Sequence, residues 1–540
     1  MSATTRRDLA VLLLLCALLF GFRLGRLGLI DPDEPFYAQT AAEMLDRHDW
    51  VTPHIFGQPQ FEKPILFYWL SAASFAALGR NELAARLPGA LAATALVLMT
   101  WAFGRRAFGP RAGTLAGLVL ASGAAFAVTA RMMLTDVVFS VFVCASCLLL
   151  WRAVDPASPL GRGRRLLLAA LASALAVLTK GPLGLLIPAL AALGWRLVSR
   201  RPLPLRPRAW LAAAALWALV ATPWYAAMLT LYRGDYARAF FVHENFERLI
   251  RAEHPANNRL DYYPAVLLLG SFPWLPALAV TLRRARRRIA ASAPALFLAV
   301  WFAAALVFFT LAQSKLPTYV VFLFVPLALL TGATLDDLLR DGFTGRGERI
   351  LALTLGALQA LALLAAPALG AARPFAATLL GAAACLAVAA LLARRPSPAW
   401  VAASALATLA LIVGATTWSA DAVETATSTR PAARALAQRR DSWAPVLSSP
   451  FLVRGMWYYA HRGARVLSNR GQPFFTPHPL PVVRGPEELR GFARDHGPTL
   501  CVMRAKEWGE IERRADPPLA AESQAIGDKL IVRVEPQRPR

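Results

Sequence analysis

Apolar residues along this chain gather into repeated blocks of about 18–22, separated by short polar loops. That block length matches a hydrocarbon layer of about 30 Å crossed at 1.5 Å per residue. The blocks fall near 9–22, 85–103, 112–130, 134–152, 166–180, 182–198, 209–230, 262–281, 294–312, 317–335, 350–370, 375–393 and 399–419, which predicts thirteen membrane-spanning helices. The first follows Arg6 and Arg7 as a signal-peptide core would, but no small-residue cleavage site follows it, so it reads as an uncleaved span. Lys180-Gly181-Pro182 either separates two short spans or kinks one long one.

Past about residue 420 the pattern changes. A helix-like Pro431–Arg440, the alternating stretch Thr499–Met503 and the strand-like Lys529–Val534 predict a small α/β domain over 421–540. Residues 1–420 form the expected transmembrane domain, with the loops 30–84 and 232–261 building its site. The dense arginine clusters (Arg105/Arg106/Arg111, Arg162/Arg164/Arg165, 196–208, 283–288, Arg340/Arg346/Arg349 and Arg394/Arg395) all fall on one side if the N-terminus is cytoplasmic. An odd number of spans then puts the tail outside. The fold expected is a polytopic all-α membrane protein of about thirteen helices, with periplasmic interfacial helices and a small periplasmic α/β domain.

Composition agrees. The chain is 57% hydrophobic with a mean hydropathy of +0.45, which excludes a cytosolic enzyme. Its 58 Lys+Arg against 33 Asp+Glu give +25. On a soluble chain that would suggest nucleic acid; in loops between apolar blocks it sets orientation and favours anionic lipids, so no nucleic-acid partner is expected. Five cysteines offer no disulfide framework and no metal pattern: Cys144 and Cys147 have CxxC spacing inside an apolar helix, where small buried thiols are ordinary.

The polar residues that matter lie next to span ends. Ile30-Asp-Pro-Asp-Glu-Pro-Phe-Tyr37 sets three carboxylates directly after a span, where Asp33 either caps a helix opening at Glu34-Pro35 or carries chemistry. Gln39–Leu45 reads as a short interfacial helix. In Phe61-Glu-Lys-Pro64, Lys63 is an interfacial anchor or a phosphate ligand, and Glu62 binds a metal or holds the lysine. Arg131 and Asp136 flank a turn between spans, and Asp136 caps the next helix, holds an acceptor or meets a cationic partner. His243 and Glu62 are a possible divalent-metal pair, Arg248 is a phosphate contact, and Lys180, Lys315 and Tyr319 fall at the same outer face. Cations there suit an anionic substrate with a hydrophobic tail, and carboxylates suit group transfer on it. A transporter would instead set its charges near mid-membrane in matching half-repeats, and the span interiors are monotonous Ala/Leu. A structural or assembly protein would leave Asp33, Lys63 and Arg248 apart.

These motifs resemble the bacterial phospholipid-carrier-dependent glycosyltransferases of the integral-membrane C-type fold, which are related to protein O-mannosyltransferases. The likeness is greatest to the 4-amino-4-deoxy-L-arabinose transferases that modify lipid A. It covers the whole chain and rests on Ile30-Asp-Pro-Asp-Glu, Arg47-His-Asp-Trp-Val-Thr-Pro53, Phe61-Glu-Lys-Pro64, Arg131-Met-Met-Leu-Thr-Asp136, Leu178-Thr-Lys-Gly-Pro182, His243-Glu-Asn-Phe-Glu-Arg248 and Ser314-Lys-Leu-Pro-Thr-Tyr319, in that order. The resemblance implies transfer of a sugar from undecaprenyl phosphate to lipid A or another envelope acceptor, at the periplasmic face of the bacterial inner membrane. It implies Asp33 as the essential first-loop carboxylate and Asp136 as the second. It places Glu34, Tyr37, Lys63, Arg131, Lys180, Arg248, Lys315 and Tyr319 at the substrate, and a structural zinc on Glu62 and His243. The chain departs from the family at Phe36, where an Arg is usual, and at Gln60, where a Tyr is usual. Both departures bear on which sugar and acceptor are used; transfer of another sugar to a protein is the alternative.

Overall fold

The computed structural model describes residues 3–155, 161–200, 205–462, 465–469 and 480–536. Its contacts divide the chain into two compact units: Met1–Leu24, Phe61–Phe67 and Leu87–Trp418 form one, and Gly25–Gln60, Tyr68–Arg86 and Ser419–Arg540 the other.

The first unit is helical. Among the described residues, eight helical stretches of the chain are long and apolar enough to cross a membrane: Glu82–Phe108, Thr135–Val154, Pro207–Ile250, Ala293–Leu311, Pro317–Asp341, Arg346–Ala368, Gly370–Leu392 and Pro398–Thr416. Each coincides with a predicted span. The other five predicted blocks fall on helices that are shorter, more charged or interrupted. Ala3–Cys16 continues as a π-helical turn over Ala17–Gly21. The block at 112–130 breaks at Gly123 into Pro110–Ser122 and Ala124–Thr129, and that at 262–281 breaks between Tyr262–Gly270 and Leu275–Ala291.

The Lys180-Gly181-Pro182 alternatives resolve as two helices, Arg162–Lys180 and Leu183–Ser199. Gly181 has φ +81°, a conformation that L side chains rarely adopt, and it ends the first helix. Gly184 then approaches the backbone of Ala176 and Val177 so closely that a Cβ would collide with it, and the Ser173 hydroxyl donates to the Gly184 carbonyl at 3.0 Å. The core beneath is rich in aromatic rings, with Trp151 stacked on Phe297 and edge-on to Trp195.

Several arginine-bearing helix ends meet within this unit. Arg105 pairs with Asp8 at 3.0 Å and Arg284 with Glu348 at 2.6 Å, while Arg111 contacts Asp336 and Arg288 contacts Asp337. The N-terminal helix and the segments near 105–111, 283–288 and 336–349 thus converge at one end of their helices.

The second unit corrects the expected cut at 420. It joins Ser419–Arg540 with most of the 30–84 loop, which groups with the tail rather than with the helical unit. The reason is a buried ionic scaffold. Arg430 reaches Glu82 at 2.6 Å, Glu424 at 2.5 Å and the Arg26 carbonyl at 2.8 Å, and the Leu29 amide donates to the Tyr459 hydroxyl at 2.7 Å. The tail itself is α/β; among its described residues six strands stand in the spatial order Val482–Arg484, Arg465–Ser468, Val446–Ser448, Thr499–Arg504, Lys529–Val534, Ala521–Ile526. The first four run parallel and the last two antiparallel to their neighbours. Leu447, Leu467, Leu489, Cys501 and Val532 fill its core.

Candidate active site

In the helical unit the site is built where a long helix loses its regularity. Pro207–Tyr236 bends at Arg233 (φ 45°) and continues as a π-helix over Ala237–Glu247 into Arg248–Ile250. Such wide turns recur at functional sites because they re-aim side chains. Phe61 packs on Tyr232 and Tyr236, with ring centroids 5.0 and 5.5 Å apart, and so anchors the short segment that carries Lys63.

Glu244 lies at the centre. Lys63 Nζ donates to Glu244 Oε2 at 2.8 Å and Arg248 Nη1 to the same oxygen at 2.5 Å. Arg248 Nη2 contacts Glu253 and donates to the Tyr319 hydroxyl at 3.1 Å. Lys180 contacts Asp136 and stands 4.4 Å over the Tyr319 ring. Lys315, itself buried, donates to Asn258 Oδ1 at 3.1 Å and to the Arg259 carbonyl at 3.2 Å, and burial lowers its affinity for a proton. Lys63, Arg248, Tyr319, Lys180 and Asp136, drawn from five separate stretches of sequence, therefore form one connected cluster. Glu244, Glu253 and Asn258 were not singled out from the sequence. Glu244 had a signal, since it lies four residues before Arg248, the spacing of helical ion pairs; Glu253 and Asn258 had none.

Arg131 stands apart from this cluster, whereas Asp136 belongs to it. Arg131 donates to the carbonyls of Leu19 at 3.0 Å and Phe22 at 2.9 Å, and so closes the end of the first helix. Asp136 lies in the first turn of Thr135–Val154, and of its three possible roles the structure shows the cationic partner, Lys180.

His243, Glu244 and Glu253 offer ligand atoms all within 4.8 Å of one another, a spacing that a divalent ion could bridge. Glu62 is not part of that triad. His243 Nδ1 is shared with Glu247 at 2.9 Å, and Glu244 is already held by two cations. Of the triad, His243 is the donor not engaged by Lys63 or Arg248, whereas Glu244 and Glu253 would each share a metal with the Arg248 guanidinium.

Asp33, Glu34 and Tyr37 belong to the second unit. Asp33 does not cap a helix; it opens one, Asp33–Arg47, which absorbs the short helix expected at Gln39–Leu45. A carboxylate in a first turn suits the helix dipole. Glu34 is fully buried, accepts from the Ile30 amide at 2.6 Å and pairs with Arg86 through both oxygens, at 2.9 and 2.6 Å. Arg86 also donates to the carbonyls of Leu27 and Gly28. Tyr37 is buried edge-on to Phe36. Over Phe36, where the resembled family carries an Arg, stands the guanidinium of Arg454 at 4.5 Å. Asp31 is buried with one oxygen on Thr429 and the other without a hydrogen-bond partner, and burial pushes its carboxyl up to about 8. Gln60 is likewise fully buried, with neither end of its amide hydrogen-bonded.

The fold of this chain, apolar helices followed by a small α/β tail, has solved neighbours. The chain matches ArnT from Cupriavidus metallidurans bound to undecaprenyl phosphate with a TM-score of 0.79 and 23% identity, covering 99% of this chain and 98% of that one. An archaeal oligosaccharyltransferase, AglB from Archaeoglobus fulgidus in complex with an inhibitory peptide and a dolichol-phosphate, matches with a TM-score of 0.51 and 14% identity, covering 93% and 70%. The family model described as dolichyl-phosphate-mannose-protein mannosyltransferase matches residues 62–226. Curated relatives carry the particular name undecaprenyl phosphate-alpha-4-amino-4-deoxy-L-arabinose arabinosyl transferase. That of Pseudomonas aeruginosa (strain UCBPP-PA14) is 36% identical over 366 residues, 66% of each chain, and that of Edwardsiella ictaluri (strain 93-146) is 34% identical over 356 residues, 64% of this chain and 62% of its own. The matches span a little under two thirds of these relatives' length. In sequence the chain is similar to these aminoarabinose transferases, and in fold it is like the first structure.

Proposed function

We propose that this protein transfers 4-amino-4-deoxy-L-arabinose from undecaprenyl phosphate to a phosphate of lipid A, at the periplasmic face of the bacterial inner membrane. The observation that carries this reading is the cluster of Lys63, Arg248, Lys180 and Tyr319 at the helix ends, set beside relatives named for that donor. Guanidinium and ammonium groups at one point match a phosphate in charge and in hydrogen-bonding shape. The N-terminus is cytoplasmic in this reading, and the site and the tail are periplasmic.

The transfer is an inverting displacement. An acceptor oxygen bonds to the anomeric carbon while the bond from that carbon to the carrier phosphate breaks, and the phosphate leaves with the electron pair. Lys63 and Arg248 meet the charge that grows on the departing phosphate, so no acid is needed. A lipid A phosphate is already ionised as nucleophile, and Asp33 then stabilises positive charge on the sugar or orients its amine. With a hydroxyl acceptor, Asp33 is the general base. The mannosyltransferase family model and the departures at Phe36 and Gln60 favour, as second reading, another sugar or a protein acceptor on the same carrier chemistry.

A divalent ion, zinc, held by His243 with Glu62 or Glu253, belongs to this proposal in a structural role. Chelation should lower the melting temperature of the purified protein more than it lowers that of His243→Ala; an equal or absent shift removes the metal. For the reaction, mass spectrometry of lipid A from cells with and without the gene decides. An aminopentose on a lipid A phosphate that depends on the gene supports the transfer, and unchanged lipid A sends the search to other envelope acceptors.

A further inference from the structure

A cavity of about 310 Å³ opens among helices Thr135–Val154, Arg162–Lys180, Leu183–Ser199 and Pro207–Tyr236. Its walls are apolar, and alanines such as Ala169, Ala192 and Ala213 leave the space that larger side chains would fill. The Ser173 hydroxyl, one of two serines in the lining, is already committed: it donates to the Gly184 carbonyl and accepts from Trp217 Nε1 at 3.2 Å. From Leu166 to Ser173 the cavity runs along about 10 Å of helix. At its Leu166 end the charge changes abruptly. Leu166 follows Arg164 and Arg165, and Trp210 follows Arg206 and Arg208. Arg164, Arg206 and Arg208 are exposed and make no ion pair among the described residues, and the joining segments 156–160 and 201–204 contain no acidic residue.

We propose that this cavity holds an acyl chain of an anionic glycerophospholipid, with the lipid phosphate against Arg164, Arg206 and Arg208. The apolar space takes the chain by burial, and the unpaired guanidinium groups select a phosphate-bearing head over a zwitterionic one. The occupant is not the sugar-carrier lipid. The phosphate cluster of Lys180, Tyr319 and Arg248 lies at the other end of helix Arg162–Lys180, about 24 Å of helix from Arg164, and one phosphate cannot serve both ends.

The test uses the full chain in nanodiscs of phosphatidylcholine with a minor fraction of phosphatidylglycerol, with bromine on the acyl chains of one lipid or the other. Trp210 and Trp217 line the cavity, so a brominated chain seated there quenches their fluorescence. Brominated phosphatidylglycerol should quench more strongly than brominated phosphatidylcholine at equal mole fraction. The excess should disappear in the Trp210→Phe/Trp217→Phe double variant and in Ala192→Phe, which fills the space. Each of Arg164→Ala, Arg206→Ala and Arg208→Ala should reduce the preference for phosphatidylglycerol by about fivefold, as expected for roughly 1 kcal/mol per basic residue near an anionic head. These arginines are exposed, so their variants decide the matter even if Ala192→Phe does not fold. Equal quenching by the two lipids, or an undiminished preference in the arginine variants, overturns the proposal. So does displacement of the brominated lipid by added undecaprenyl phosphate, which would make the cavity part of the donor's site.

Discussion

Replacing Asp33 by Asn keeps its size and much of its hydrogen-bonding outline but removes its charge. If that carboxylate acts on the reacting centre, transfer falls by about 10²–10⁴-fold while carrier-lipid binding persists. Lys63→Ala acts differently, because it takes charge from both the bound and the departing phosphate, so donor affinity and turnover fall together. Steady-state kinetics with donor titration separate the two, with correct membrane insertion checked for each; near-normal turnover in Asp33→Asn would move the role to Asp136. Gln60 poses another residue-scale question, since a fully buried amide without partners costs about 1–3 kcal/mol. Gln60→Met should therefore raise the melting temperature. If Gln60 also reads the sugar, the same variant loses transfer, and a stabilised, fully active enzyme would exclude that role. Asp31 supplies a pH dependence with a definite sign. Its folded-state carboxyl, at about 8 against an ordinary 3.8, holds its proton more tightly than in the unfolded chain. The stability it contributes is complete below about pH 4 and is lost as pH rises through about 8. Melting temperature should fall between pH 6 and 9 in the parent, and the fall should flatten in Asp31→Asn.

Elements show why some of this was legible in the sequence and some was not. The apolar blocks predicted helices because twenty apolar residues have few other fates, and Thr499–Met503 and Lys529–Val534 announced strands by alternation. Val446–Ser448 is too short for a period to register, and Ala521–Ile526 is exposed along nearly its whole length, so neither carries a burial pattern. The same limit applies to the site. Lys63 and Arg248 stand out as cations beside aromatic runs, but that one carboxylate, Glu244, holds both is a fact of folding across some 180 positions. This pairing has a testable consequence. Glu244→Gln leaves two cations partly uncompensated in a half-buried place, so the protein without donor should melt lower. Undecaprenyl phosphate, which restores the missing charge, should then raise the melting temperature of the variant more than that of the parent. An equal rise in both would mean that donor phosphate does not meet Lys63 and Arg248. The first loop offers the contrasting case, because Asp31, Asp33 and Glu34 look alike in sequence. Arg86 claims Glu34 and Thr429 claims Asp31, and those two carboxylates hold the loop whose helix begins at Asp33.

At the scale of the whole molecule, the distribution of arginine fixes an expectation about sidedness. The ion pairs Arg105–Asp8, Arg111–Asp336, Arg288–Asp337 and Arg284–Glu348 tie the N-terminal helix and the arginine-rich end of helix Leu275–Ala291 to the same end of the helical unit. A positively charged end of this kind is expected on the cytoplasmic side, because moving it across the membrane is opposed by the positive-inside bias. The cationic cluster of Lys63, Arg248 and Lys180 belongs to the opposite helix ends: Lys180 closes helix Arg162–Lys180, which begins among arginines, and its partner Asp136 opens Thr135–Val154, which ends at Arg152 and Val154. If the count of crossings is odd, the tail after Ser419 lies on the side of that cluster. Reporter fusions or cysteine labelling within Arg283–Arg288 and after residue 420 should therefore report opposite compartments, cytoplasmic for the first and periplasmic for the second. The same compartment for both would mean an even count. The error would then lie in one of the five interrupted or short blocks, with the breaks at Gly123 and between Gly270 and Leu275 the first places to look, since the hairpin at Gly181 already accounts for two helices.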